Sequence, residues 1–205
     1  MSESVKTPRR SYRQEQAEAT RYRIADAAQR LFAQHGYATT SMNSIAHEAG
    51  VANRTLYAAF GAKREILNVI CDRWLQRAHA RELATRILDL QEPAARVRGA
   101  AMWLTALYSA DFDVVRILDA AMDEDRETRD LLRAKLRGRN RVMDSLIASV
   151  EADLVVSLTD AQAVFRAYAA PGVYGELVGE SGWPVDRFEV WLADNLVAQL
   201  LTPRP

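Results

Sequence analysis

The chain has 205 residues, 49% of them hydrophobic and 26% charged, which is enough apolar material for one large domain or two small ones and excludes global disorder. The net charge is zero but unevenly spread: residues 1–64 hold ten Lys and Arg against five Asp and Glu, and the rest hold seventeen against twenty-two, as in a polyanion-binding head joined to an acidic remainder. The single cysteine, Cys71, excludes an internal disulfide framework and a Cys-rich zinc site; with no apolar run near the roughly 20 residues of a membrane span and a polar start, the expected location is the reducing cytoplasm.

Glycine and proline are sparse and no segment alternates apolar with polar residues, so the fold class expected is all-α. Leu154, Val155 and Val156 come nearest to a strand and are too short to build a sheet. Residues 1–19, with Arg9, Arg10 and Arg13, read as a flexible basic arm. From Arg21, the positions Ile24, Ala27, Ala28, Leu31 and Phe32 repeat at helical spacing on one face, and Gly36 closes the helix. Thr40 or Ser41 supplies the cap of a short helix bearing Ile45, Ala46 and Ala49. Gly50 permits a tight turn, and Asn53 is placed to cap a helix whose Leu56 and Phe60 lie one turn apart. Gly61 breaks that helix. A long one follows to about Arg81, with Ile66, Leu67, Ile70, Cys71, Trp74, Leu75 and Ala78 facing inward.

Beyond it, Pro93 suits the first turn of a helix ending near Ser109, and Asp111 is placed to cap a short helix through Ala121. Asp125 to about Glu151 reads as one long helix with a charged outer face. Thr159 or Asp160 starts another, which Pro171-Gly172 must kink or break. After Gly182 and Pro184 a last helix carries Phe188, Trp191, Leu192, Leu196, Leu200 and Leu201. The domains expected are the arm over 1–19, a helix-turn-helix domain over 20–66 and a helical regulatory and dimerisation domain over 67–205.

The stretch from Thr40 to Lys63 carries the functional signal. Two short helices joined by a Gly-containing turn cross steeply only where small residues meet, and Ala46 and Ala49 meet that need. Val51, Leu56 and Phe60 fill the space below, so the second helix projects its polar side outward, as entry into a major groove about 12 Å wide requires.

Thr40, Ile45-Ala46, Ala49-Gly50-Val51, Thr55-Leu56-Tyr57, Phe60 and Lys63, preceded by Leu31-Phe32 and Gly36-Tyr37, resemble the TetR family of transcriptional regulators. A weaker tail pattern is similar to one of its subgroups: Pro171, Val173-Tyr174, Leu177-Val178, Gly182-Trp183 and Trp191-Leu192-Ala193-Asp194. Two positions depart from the commoner pattern, Ala52 where Ser is frequent and Ala59 where His or an aromatic is frequent, which leaves open which bases are read. The resemblance implies Tyr57 and Lys63 as phosphate clamps, with Thr40 or Ser41 binding phosphate from a helix start. Asn53, Arg54 and Thr55 open the groove-facing helix as candidates for base contact, with Arg suited to guanine and Asn to adenine. For Arg54 a phosphate contact or plain solvation stands beside base readout, and for Tyr57 partial core packing stands beside phosphate contact. The arm arginines are placed to enter a minor groove or to form a solubilising tail.

The resemblance also implies a C-terminal domain that dimerises and encloses a small-molecule pocket. Trp103, Tyr108, Phe112, Met122, Phe165 and Tyr168 are candidate lining groups with Arg116 as a polar handle, although aromatic and Met residues at helical spacing are more often ordinary core. One head covers only a half-site, so two-fold pairing is expected, with Phe188, Trp191, Leu192 and Leu196 of the last helix packing across a partner. The partners expected are therefore double-stranded operator DNA, a second copy of the chain and a small-molecule effector, in a repressor released by that effector. A helical module binding some other acidic partner, or a DNA-binding dimer without a ligand, is the alternative. No enzyme, metal site or cofactor is expected: His35, His47 and His79 are scattered, and no phosphate loop or nucleophile elbow occurs. Cys71 falls on the inner face of its helix, as a buried inert thiol would.

Overall fold

The computed structural model describes residues 12–201, and among them every regular element is helical. The chain divides into two compact units, one ending at Ile70 and the other beginning at Cys71. None of the described helices is long and apolar enough to cross a membrane.

The first unit holds α1 (Tyr12–His35), α2 (Met42–Glu48), α3 (Asn53–Phe60) and the start of α4 (Lys63–Arg77). Ile24, Ala27, Ala28 and Phe32 of α1 are buried with Ile45 and Ala46 of α2, Leu56 and Phe60 of α3, and Ile66, Leu67 and Ile70 of α4, so the apolar stripe read from spacing is the core. Helix α1 begins earlier than expected. Residues 12–19 are its first turns, which shortens the basic arm and places Arg13 on a helix; Arg9 and Arg10 lie outside the described residues. Gly36 (φ 86°) and Gly50 (φ 63°) take the left-handed conformation at the two turns where the chain reverses, which a Cβ would strain.

The second unit contains the rest of α4, then α5 (Ala80–Leu88), α6 (Pro93–Ala110), α7 (Phe112–Ala120), α8 (Arg126–Ala148), α9 (Leu158–Tyr168), α10 (Pro171–Tyr174) and α11 (Val185–Leu200). Helix α4 stops short of the expected Arg81, because His79 adopts a left-handed conformation (φ 49°) and α5 starts after it. Helix α6 is central, packed against α5, α7, α8 and α11. Gly99 lets α5 approach it: a Cβ there would stand 2.8 and 2.9 Å from the two γ carbons of Ile87. Two indole N–H groups tie the layers together, Trp74 to the Leu107 carbonyl at 2.7 Å and Trp103 to the Ala80 carbonyl at 2.8 Å.

The caps of the second unit follow the sequence only in part. Asp125 caps α8 by accepting from the Thr128 N–H at 2.8 Å. Ser157, rather than Thr159 or Asp160, caps α9. Asp111 precedes α7 but spends its carboxylate on Arg77 at 2.9 Å. Pro171 breaks the chain after α9 as expected. Beyond it α10 widens into a π-helical stretch, Gly175–Glu180, before Pro184 introduces α11.

Candidate nucleic-acid interface

Helices α2 and α3 carry the residues singled out from the sequence. Ser41 is the cap of α2: its Oγ accepts from the Ser44 N–H at 3.0 Å, and the Ser44 Oγ accepts from the Ser41 N–H at 3.1 Å. This reciprocal box satisfies two N–H groups that the helix end leaves open. Thr40 plays another part from the one expected. It is only 5% exposed, and its hydroxyl donates to the Gly36 carbonyl at 2.8 Å, so its side chain closes the loop before α2 rather than facing outward.

Helix α3 presents a bare polar face. Asn53, Arg54, Thr55 and Tyr57 are exposed, whereas Leu56 and Phe60 anchor the opposite side in the core. None of the four exposed side chains has a hydrogen-bond partner among the described residues. Tyr57 is half exposed. The expected cap by Asn53 is displaced by one residue: Ala52 is the cap position and has no oxygen to offer, which leaves Asn53 as the first helical residue with its amide free.

Two cations of the head turn inward instead. Arg21 of α1 donates to the Ala59 carbonyl at the end of α3, and its guanidinium lies over the Phe60 ring at 4.4 Å. The ammonium of Lys63 reaches the carbonyls of Tyr37, Thr40 and Ala38 at 2.5, 3.1 and 3.3 Å. It also lies 4.2 Å from the centre of the Tyr37 ring. Without DNA, the Lys63 ammonium is thus held by the carbonyls of the loop between α1 and α2. His47 is exposed on α2, and Arg30 pairs with Glu48 at 3.0 Å.

In the second unit the candidate ligand residues separate. Tyr108 and Phe112 come together, with ring centres 5.7 Å apart, and Tyr174 joins them at 5.3 and 4.8 Å. Phe188 extends the cluster at 5.0 Å from Tyr174, and Gly175 leaves room for the Phe112 ring at 3.5 Å. Burial raises the phenol pKa of both Tyr108 and Tyr174. Trp103 and Phe165 are fully buried, with Trp103 engaged by Ala80 rather than by this cluster. Tyr168 packs on Trp191 at 5.6 Å and accepts from Gln199 at 2.5 Å, so it belongs with α11. Met122 is half-buried, and its carbonyl accepts from Arg129 at 3.0 Å.

Arg116, expected as the polar handle, is exposed and makes no side-chain bond among the described residues. Arg139 of α8 instead stands beside this cluster, with Nη1 3.3 Å from the Tyr108 hydroxyl. It was hidden in the charged outer face read for α8. Tyr174 was visible only as part of the tail pattern.

The expected dimer contacts divide too. Phe188, Leu192 and Leu196 are fully buried within the chain, because α11 lays its apolar arc on α6. That burial corrects their assignment to a partner. Trp191 is half-buried, and Val185, Val190, Asp194 and Ala198 form the outward face of α11. Among the described residues no three His, Cys, Asp or Glu gather as metal ligands.

Residues 24–70 match the family profile described as bacterial regulatory proteins, tetR family. An uncharacterized HTH-type transcriptional regulator of Mycobacterium tuberculosis is 32% identical over 127 residues, covering 62% of this chain and 59% of that relative. The chain thus spans about three fifths of the length of that curated relative. Among solved structures, the regulator FadR of Bacillus subtilis in complex with stearoyl-CoA aligns with a TM-score of 0.72 at 17% identity. The alignment covers 87% of this chain and 98% of FadR. A Saccharomonospora viridis regulator in complex with choline aligns at 0.71 and 19%, covering 91% of this chain and 100% of that one. The head of the chain, residues 24–70, thus matches the profile of the tetR-family bacterial regulatory proteins, and the chain shares the fold of these two solved regulators.

Proposed function

We propose that the protein binds duplex DNA through the exposed face of α3, acts as a homodimer, and is a repressor released from its operator by a small molecule. The observation that carries the DNA reading is the bare row Asn53, Arg54, Thr55 and Tyr57 on a helix whose other side is locked into the core. Polar side chains without partners, projecting from a short rigid helix, are what base edges and phosphates need. The Arg54 guanidinium suits the O6/N7 edge of guanine, the free Asn53 amide suits adenine, and the Tyr57 phenol suits a phosphate oxygen.

Homodimerisation supplies the second half-site, with reading heads about 34–36 Å apart. Its interface in this proposal is the outward face of α11, with Val190, Ala198 and the half-buried Trp191, rather than the residues already committed to α6. For the effector, the cluster of Tyr108, Phe112, Tyr174 and Phe188 supplies apolar surface and Arg139 a donor at its edge. That chemistry suits a ligand with an apolar body and a hydrogen-bond acceptor. FadR and the Saccharomonospora viridis regulator, which share the fold, are solved with stearoyl-CoA and choline. Helix α4 is common to both units of the chain and is the proposed carrier of the signal. A ligand releases DNA only to the extent that it prefers the state that does not bind DNA.

Selection of bound fragments from the genomic DNA of the source organism tests the proposal. A recurrent quasi-palindrome is the supporting outcome, and recovery of random sequence counts against operator recognition.

A further inference from the structure

We infer that the small molecule taken by the second unit is a monoanion, a carboxylic acid with an apolar body, and that Arg139 is the residue that selects its charge. The inference rests on the reading of the aromatic cluster as the effector site and adds the chemical class of the ligand.

Arg139 is half-buried on α8, and among the described residues its guanidinium meets no carboxylate. Its contacts are long and go to neutral oxygens. Nη1 stands 3.3 Å from the Tyr108 hydroxyl, while Nε and Nη2 stand 3.4 and 3.3 Å from the Asn140 side-chain oxygen. A guanidinium bound to a carboxylate closes to about 2.7–2.9 Å. Other arginines of the unit do so: Arg98 lies 2.7 Å from Asp194 and Arg77 2.9 Å from Asp111. Asp144, the next acidic residue along α8, is paired with Arg166. Arg139 is therefore a partly desolvated cation whose counter-ion the described residues do not supply, and such a charge is costly until it is paired.

The hydroxyl beside it has no proton to offer. Tyr108 has one O–H, which donates to the Ala169 carbonyl, so its oxygen can only accept from Arg139. Of these two polar groups, the guanidinium alone has N–H groups to give a ligand, and its planar fork matches the two oxygens of a carboxylate. The charge count favours one negative charge over two. Arg139 supplies one positive charge. Burial raises the Tyr108 phenol pKa, opposed by Arg139, and the charge of Asp119 raises it further. A dianion would add an unbalanced charge where that field already acts.

The rings provide for the apolar body. Phe112 is half-buried, its ring centre lies 5.7 Å from that of Tyr108 and 4.8 Å from that of Tyr174, and Gly175 brings no side chain against it. The same side of α6 is under-bonded at a second point. Thr105, one turn before Tyr108, is 2% exposed, and its hydroxyl has no partner among the described residues. A buried hydroxyl is seldom left so, which fits a core that receives a further group.

Calorimetric titration of the full chain with benzoate, 4-phenylbutyrate and hexanoate, each beside its neutral primary amide, tests the inference. The result expected is at least one acid bound at least about tenfold tighter than its amide. Arg139→Gln should reduce that preference to within about twofold, while Arg137→Gln, an exposed arginine of the same helix, leaves it unchanged. Phenyl phosphate, a dianion above about pH 7, should bind more weakly than the best acid. Amides bound as tightly as acids, a preference that survives Arg139→Gln, or phenyl phosphate bound best would each overturn the inference. If Arg139→Gln does not fold, the acid–amide comparison on unmutated protein still decides. Amides that bind where acids do not leave the effector site standing and refute only its charge. Absence of binding by every acid and amide refutes both. An acid that binds without releasing operator upholds the inference and counts against ligand release.

Discussion

Gly99→Ala is a substitution whose sign depends on one neighbour. The new Cβ would stand 2.8 Å from Cγ1 and 2.9 Å from Cγ2 of Ile87, where 3.4–4 Å is ordinary contact. Ile87 is 1% exposed and β-branched, so one χ1 rotation cannot clear both carbons. The helices must separate instead, at an overpacking cost of about 2–3 kcal/mol. Alanine returns about 1 kcal/mol as the better helix former, leaving a net loss of about 1–2 kcal/mol. That corresponds to a drop of roughly 2–8 °C in melting temperature for a chain of this size. In an Ile87→Ala background the obstructing carbons are gone, and the same substitution should stabilise by about 1 kcal/mol. Urea titrations of the four proteins in the cycle measure both numbers. If Gly99→Ala stabilises the wild type, or if its effect is the same in both backgrounds, the close approach of α5 and α6 is wrong.

Other expectations follow from single groups. Ser41→Ala removes the cap of α2 and should cost about 1 kcal/mol in chemical denaturation, with loss of amide-exchange protection at Ser44 first. Burial holds the Cys71 thiol at about 11 against an ordinary 9.0, so the thiol should react with a disulfide reagent far more slowly than free cysteine at pH 8. The unfolded thiol ionises first as pH rises. The stabilising contribution is therefore complete below pH 9 and is lost between about 9 and 11, at about 1.4 kcal/mol for each unit of separation. Cys71→Ala should lack that part of the decline. Val190→Glu on the outward face of α11 should shift sedimentation toward monomer at micromolar concentration without lowering helicity; an unchanged dimer removes that face from the interface.

The head was legible because its message lies in local spacing: small residues at a crossing, a glycine at the turn and apolar groups one turn apart. The location of α3, its buried Leu56 and Phe60 and its exposed Arg54 and Tyr57 all follow from that pattern. The inward turn of Lys63 and Arg21 was not legible, since each depends on carbonyls far along the chain whose positions only folding defines. Periodicity likewise marked the apolar arc of α11 without saying which neighbour covers it, and α6 takes Phe188, Leu192 and Leu196. Arg139 was missed for a related reason. A charged helix face looks uniformly solvated until a partner such as Tyr108 is brought against one turn of it.

The measurement closest to the central claim is a fluorescence titration of a selected operator and a scrambled duplex with wild type and Arg54→Ala, repeated across a salt series. The account predicts operator binding at least about 10³-fold tighter than scrambled binding, steep weakening with salt for both, and relaxed preference at one position of each half-site in Arg54→Ala. Equal affinity for the two duplexes, or a preference untouched by Arg54→Ala and by substitution of Asn53, would contradict base reading by α3.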